Sequence, residues 1–216
     1  MHPFRAEPPL PMRQAARSGQ TRQLLLEATI ELILERGLAG ATVNAICRRA
    51  GVTTGALQHQ FGGKSELMAA TVAALFAPFA EAFPSSENPA DTPIEARVER
   101  LVRRFARIFL DVRYPAVIEI LSATRHDPAL DAAVKTYRDT QLENMAHHLR
   151  TQFTDVKLPL ERMVEDTHLV VDLMRGGAIR MMFARSRQAE AGILDGACRF
   201  LHAAFAGGGR TVEKGR

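Results

Sequence analysis

The chain has no tryptophan and only two tyrosines and two cysteines among its 216 residues. Cys47 and Cys198 stand far apart, each within an apolar helical pattern. That excludes a disulfide framework and suggests a reducing compartment. No run of about eighteen apolar residues exists, which excludes a membrane span of helical type. The opening stretch MHPFRAEPPLPMRQAARSGQ has Pro and Arg where a signal peptide needs an apolar run. These absences lead to the expectation of a soluble cytoplasmic protein with no membrane partner.

Period-2 runs bounded by turn residues are missing too, as are internal repeats, so the chain reads as all-α. Catalytic signatures are also wanting. There is no GxSxG, no HExxH and no glycine loop able to cradle phosphate, since Gly176-Gly177 lies inside a helical pattern. His147, His148, His168 and His202 do not form the i, i+4 pair that helical zinc sites use. Neither a metal, nor a cofactor, nor an enzymatic activity is expected.

The net charge of +4 is mildly basic and its excess falls in the N-terminal third. That balance permits a nucleic-acid partner. Residues 1–20 are Pro-rich, basic and without period, and are expected to form a disordered arm whose Arg13 and Arg17 could reach phosphates. From Thr21 the spacing of Leu25, Ala28, Leu32 and Ile33 predicts a helix with one buried face, stopped at Gly37. Thr42 then caps a short helix ending at Gly51, and Thr53 opens a second short one broken at Gly62-Gly63. A fourth helix starts near Lys64.

Residues 83–92 read as a linker. Thr92-Pro93-Ile94-Glu95 reads as an N-cap, a first-turn Pro and a capping-box Glu. The helix it opens runs to about Asp111, with Arg97, Arg100, Arg103, Arg104 and Arg107 taken mostly as a solvated face. No element is assigned between Asp111 and Asp127. Asp127-Pro128 opens a long helix toward Phe153, Pro159 opens another to about Arg185, and a last one runs from about Gln188 to Phe205. Met145, Met163, Met174, Met181 and Met182 are read most simply as core. Residues 207–216 are expected to be a disordered tail.

Two short helices joined at a glycine, with apolar residues at fixed inward positions, make a helix-turn-helix. In AGVTTGALQHQF, Gly51 can take the sharp turn, Val52 fills the space between helices, and Leu57 and Phe61 anchor the second helix. Thr53, Thr54, Gln58 and His59 are then left to face a duplex, where a recognition helix meets base edges and phosphates. Gln58 has the geometry to pair with adenine, and Lys64 to contact a phosphate beside a positive helix end.

The run LLEATIELILERGLAGATVNAICRRAGVTTGALQHQFGGKSEL resembles the DNA-binding domain of the TetR family of bacterial transcriptional regulators. The matching positions include Ala28, Gly37, Thr42, Ile46, Ala50-Gly51-Val52, Gly55, Leu57, His59, Phe61, Lys64 and Leu67. The family usually has Tyr where this chain has Gln58. The resemblance implies a three-helix DNA-binding domain over 21–67, followed over 68–206 by a larger helical domain for effector binding and dimerisation. It implies a ligand-responsive repressor acting as a homodimer on a palindromic, double-stranded operator. The DNA contacts expected are Thr42, Thr53, Thr54, Gln58, His59 and Lys64.

A small-molecule effector would meet apolar bulk with a few polar handles. Phe105, Ile108, Leu121, Tyr137, Met145, His148, Met163, His168 and Val171 are the candidate liners, and they favour an uncharged or weakly polar organic molecule. The resemblance also implies that the last two helices pair with their mates in a four-helix bundle. Leu173, Gly176, Gly177, Ile193, Ala197, Phe200, Leu201 and Ala204 are the candidate interface. The competing class is an all-α carrier or enzyme with an incidental helix-turn-helix-like corner.

Overall fold

The structure, a computed structural model, describes residues 10–81 and 92–207, with side chains over 17–77 and 92–207. The described residues contain helices and no strands: α1 Leu10–Gly40, α2 Val43–Ala50, α3 Thr54–Phe61, α4 Lys64–Glu81, α5 Ile94–Phe109, α6 Tyr114–Ala123, α7 Pro128–Gln152, α8 Leu160–Phe183 and α9 Arg187–Ala206. The expected tail 207–216 lies outside the described residues beyond Gly207, and most of the expected linker does too.

Among the described residues, 10–74 and 116–134 form one compact unit, and 75–81, 92–115 and 135–207 another. The division expected at 67/68 therefore gives way to one in which α6 joins the helix-turn-helix. Glu119 supplies a reason. Gly37 turns the chain at φ 72 and ψ 171 within α1, a region open essentially to glycine alone. The turn leaves the Leu38 amide without a helical acceptor, and it donates to Glu119 Oε2 at 2.7 Å. Helix α6 lies in the stretch to which no element is assigned from sequence. Pro115 sits in its first turn, where its missing N–H costs nothing.

The first unit is built on α1, which packs against α2 and α3. Leu25, Leu32 and Ile33 of α1, Ile46 of α2, Leu57 of α3 and Leu67 of α4 are fully buried. Helix α1 starts at Leu10, so the disordered arm expected over 1–20 is corrected for residues 10–20. Pro11 is tolerated in a first turn, and the Gln14-Ala15-Ala16-Arg17 stretch is made of good helix formers. Residues 1–9 and the side chain of Arg13 lie outside the described residues.

In the second unit α8 and α9 pack on each other and both pack on α5. The inward stripe of α5 is Val98, Leu101, Val102, Phe105, Ile108 and Phe109, all buried. Each such side chain contributes about 1.5–3 kcal/mol by leaving water. Arg97 shares that face, the exception in an arginine stripe expected to be mostly solvated. Its guanidinium donates to both oxygens of Asp155 at 2.6 Å and to the Gln152 carbonyl at 2.7 Å. It also lies 5.3 Å from the Phe153 ring centroid. These bonds join the start of α5 to the last residue of α7 and to the loop after it.

The cap of α5 differs from the expected one. Pro93 is the N-cap residue and no side chain caps this helix. Glu95 turns instead to His202 Nε2 at 3.1 Å, joining α5 to α9. At α7 the expectation holds, with Asp127 Oδ1 accepting from the Leu130 amide at 2.9 Å.

Candidate nucleic-acid interface

Helix α2 begins where Thr42 Oγ1 accepts from the Ala45 amide at 3.2 Å, and α3 where Thr53 Oγ1 accepts from the Ala56 amide at 3.2 Å. Each cap satisfies a donor that the helix itself leaves orphaned. Between them Gly51 adopts φ 67 and ψ 30, and the Val52 amide closes onto the Cys47 carbonyl at 3.0 Å. The turn fixes the direction in which α3 leaves α2.

Leu57 is the buried anchor of α3. Thr53, Thr54, Gly55, Gln58 and His59 are exposed, as are Thr42 and Lys64. All six expected DNA contacts thus stand on the surface, five of them in and around one eight-residue helix and Thr42 at the cap of α2. The positive end of α3 is open as well, and a Cβ on Gly55 would meet nothing closer than Thr53 Oγ1 at 3.8 Å.

Gln58 is placed differently from a side chain aimed outward. Its amide donates to the Gly62 carbonyl, inside the turn that ends α3. It can read a base only by giving up that bond. Gln60, one turn from Gly63, donates to Ser18 Oγ at 2.8 Å. Arg22 of α1 lies over the Phe61 ring at 4.5 Å. These two contacts pin α3 to α1 and escaped sequence reasoning. A half-buried amide at an otherwise exposed position was the only signal, and it is invisible without coordinates. Arg49 bonds Glu35 at 2.6 and 2.8 Å and Glu31 at 3.0 Å, so it holds α2 to α1. Arg48 remains exposed.

The effector candidates divide. Phe105, Ile108, Met145, Met163 and Val171 are buried core. Tyr137 and His148 are half-buried on α7, and Leu121 is half-buried on α6 in the other unit. His168 is exposed on α8, so it does not serve as an interior liner. Burial, aided by the charges of Arg104, His147 and Arg100, pushes His148 down to about 3.

The second unit has a cleft of about 540 Å³ between α5 and α9, with Glu95, Glu99, Arg103, Asp195, Cys198 and His202 on its walls. A smaller one, about 150 Å³, lies by Leu110 and Met181. Neither includes any of the nine candidates. Among the described residues no group of three or more His, Cys, Asp or Glu is placed to hold a metal, and no helix is long and apolar enough to cross a membrane.

The interface candidates divide too. Ile193, Ala197 and Leu201 are buried within the chain. Gly177 packs so closely on α9 that a Cβ there would fall 2.5 Å from Ile193 Cδ1. All four are buried within the single chain, Gly177 and Ile193 against each other. Gly176, Leu173 and Phe200 are exposed and Ala204 half-buried. Leu169, Ile179 and Phe183 extend the exposed α8 face, with Phe183 85% exposed.

An all-α chain whose short second and third helices meet at a left-handed glycine, with the third presented to solvent, is a helix-turn-helix protein. Residues 25–71 match the family model described as bacterial regulatory proteins, tetR family. The likeness to this family is carried by that domain, residues 25–71. It is 39% identical over 61 residues to the HTH-type transcriptional regulator SrpR of Pseudomonas putida, covering 28% of this chain and 29% of that protein. It is 46% identical over 61 residues to the HTH-type transcriptional regulator BetI 2 of Chromohalobacter salexigens, covering 28% and 30%. The chain thus matches under a third of the length of these relatives.

Solved structures extend the likeness of fold. A TetR transcription regulator from Haloarcula marismortui superposes with a TM-score of 0.66 at 16% identity, covering 86% of this chain and 98% of that one. A transcriptional regulator from Rhodococcus sp. Rha1 gives 0.64 at 20% identity, covering 86% and 96%.

Proposed function

We propose that the chain is a DNA-binding transcriptional regulator of the cytoplasm. It acts as a homodimer on a palindromic operator, as a repressor whose affinity answers to a small molecule. The observation that carries this reading is α3, held by Thr53, Gly51, Gln60 and Arg22 while its opposite face stays exposed. Thr53, Thr54 and the open amides of the α3 N-terminus suit phosphate oxygens. His59 and, once released from Gly62, Gln58 lie along the groove-facing side. Lys64 adds a charge-assisted phosphate contact.

One such helix reads too few bases for a specific operator, so two copies on a two-fold axis are needed. The exposed α8 stripe of Leu169, Leu173, Gly176, Ile179 and Phe183, with Phe200 and Ala204 of α9, supports an isologous bundle of four helices. Repression and response to a ligand follow the family reading. The second unit is assigned to effector binding.

A gel-shift with the DNA flanking the chain's own gene tests the proposal. Retardation at low salt that competitor DNA of random sequence does not abolish is expected. No retardation with any flanking segment would overturn it.

A further inference from the structure

Helix α7 carries polar atoms into the interior of the second unit. Tyr137 and Gln141 lie one turn apart on the same face. Tyr137 Oη and Gln141 Oε1 are buried and find no hydrogen-bond partner among the described residues. Leaving a buried hydroxyl or amide oxygen unsatisfied costs about 1–3 kcal/mol each. Two on adjacent turns are an expensive feature for a purely structural helix, in which Phe and Leu would pack without cost.

Their surroundings are aromatic. The Phe76 ring lies 5.5 Å from that of Tyr137, 5.7 Å from Phe109 and 6.3 Å from Tyr114. Phe109 and Tyr114 meet edge to face at 5.1 Å. Phe109 and Tyr114 are buried while Phe76 and Tyr137 are half-buried, so a further ring would meet the cluster at the latter two, face or edge on. The charged lining of the α5–α9 cleft offers less. There Glu99 is paired with Arg103, Asp195 with Arg199, and Glu95 with His202.

We propose that this face of α7 binds a small, uncharged aromatic molecule bearing a hydroxyl group. The ring joins the cluster of Phe76, Phe109 and Tyr114. The hydroxyl accepts from Tyr137 Oη–H and donates to Gln141 Oε1. A hydroxyl group serves both atoms because it is donor and acceptor at once. A carboxylate would set its charge against the Gln141 oxygen. Burial keeps the Tyr137 phenol protonated and the His148 imidazole neutral, so the same interior disfavours a charged ligand. This inference rests on the assignment of the second unit to effector binding and names the effector's chemistry.

The test is calorimetric titration of the full chain with phenol, toluene and benzoate, repeated on Tyr137→Phe and Gln141→Leu. Phenol is expected to bind saturably, and about tenfold more tightly than toluene, as two hydrogen bonds of ordinary net strength allow. Benzoate should bind more weakly than phenol. Each variant should lose most of the preference for phenol over toluene while keeping its helical circular dichroism. The three-ligand comparison on the unaltered chain decides the question even if a variant fails to fold. No saturable phenol binding, equal binding of phenol and toluene, or tighter binding of benzoate would overturn the proposal. So would a preference retained by both folded variants. Operator binding without ligand is scored separately. DNA binding that survives a failure here leaves the regulator reading standing, whereas phenol binding without any DNA binding would leave the site and remove that reading.

Discussion

Replacing Gly51 isolates the energy stored in the turn that aims α3. Gly51 sits at φ 67 and ψ 30, and a Cβ there would meet nothing within 4 Å. Substitution therefore costs backbone strain and no steric clash. Holding an L-residue in the left-handed region costs about 1–2 kcal/mol. Ala recovers part of that by narrowing the unfolded ensemble, by about 0.4–1 kcal/mol. The net expectation for Gly51→Ala is a loss of about 1 kcal/mol. Asn visits the left-handed region more readily, so Gly51→Asn should lose less, and the β-branched Gly51→Val should lose more.

Gly37 supplies the control. Its φ 72 and ψ 171 lie where essentially only glycine goes, and a Cβ would sit 3.5 Å from Glu119 Oε2, an ordinary contact. Gly37→Ala should cost about 2–3 kcal/mol from strain alone. Urea denaturation followed by far-ultraviolet circular dichroism ranks the four variants. The expected order of stability is Gly51→Asn, Gly51→Ala, then Gly51→Val and Gly37→Ala together at the bottom. A Gly51→Ala protein as stable as the parent, or an Asn variant no better than Val, would refute the reasoning.

Lys64→Ala should weaken binding to all DNA sequences alike and lower the salt slope by about one per protomer, about two for the dimer, measured by affinity against salt concentration. Gln58→Ala should leave the salt slope unchanged. If Gln58 gives up Gly62 to read adenine, selection from a random library should show preference at one base pair falling by about 1–3 kcal/mol. Phe200 is 40% exposed and Leu201 fully buried. Phe200→Glu should thus leave the protomer folded yet yield monomers in sedimentation and lose operator binding, whereas Leu201→Glu should unfold the second unit. His148 is pushed down to about 3 in the folded chain, by burial first and by Arg104, His147 and Arg100 next. An unfolded histidine titrates near 6.5. As pH falls from about 6.5 toward 3, the unfolded state takes up a proton that the folded state refuses. Stability should fall by at most about 1.4 kcal/mol per pH unit over that window, and His148→Gln should flatten the slope in urea titrations.

What the residues reveal beforehand follows from the range of the forces involved. Thr42, Thr53, Gly37, Gly51 and Gly62 act within four residues of themselves, through caps and a positive φ, so the helix-turn-helix is legible from spacing. The exposed set on and beside α3 follows from Leu57 and Phe61 pointing the other way. Arg97 is different. Its burial depends on Asp155, 58 positions away, and spacing alone places it with its charged neighbours on α5. The same holds for Glu119 and the Leu38 amide. The candidate interface residues split between buried and exposed because an apolar residue on α8 or α9 can satisfy either the neighbouring helix or a partner, and periodicity does not separate the two. Gly177 against Ile193 decides it only in three dimensions. Gln58 folds back along the surface onto the Gly62 carbonyl because a flexible amide takes a near acceptor, a choice that sequence does not record.

The most direct measurement of the central claim is hydroxyl-radical footprinting of the chain on DNA from its own promoter region. Two protected patches related by two-fold symmetry are expected, centred one helical turn, or a multiple of it, apart, and both lost with Lys64→Ala at moderate salt. A single patch, or protection unchanged by altering α3 and Lys64, would contradict it.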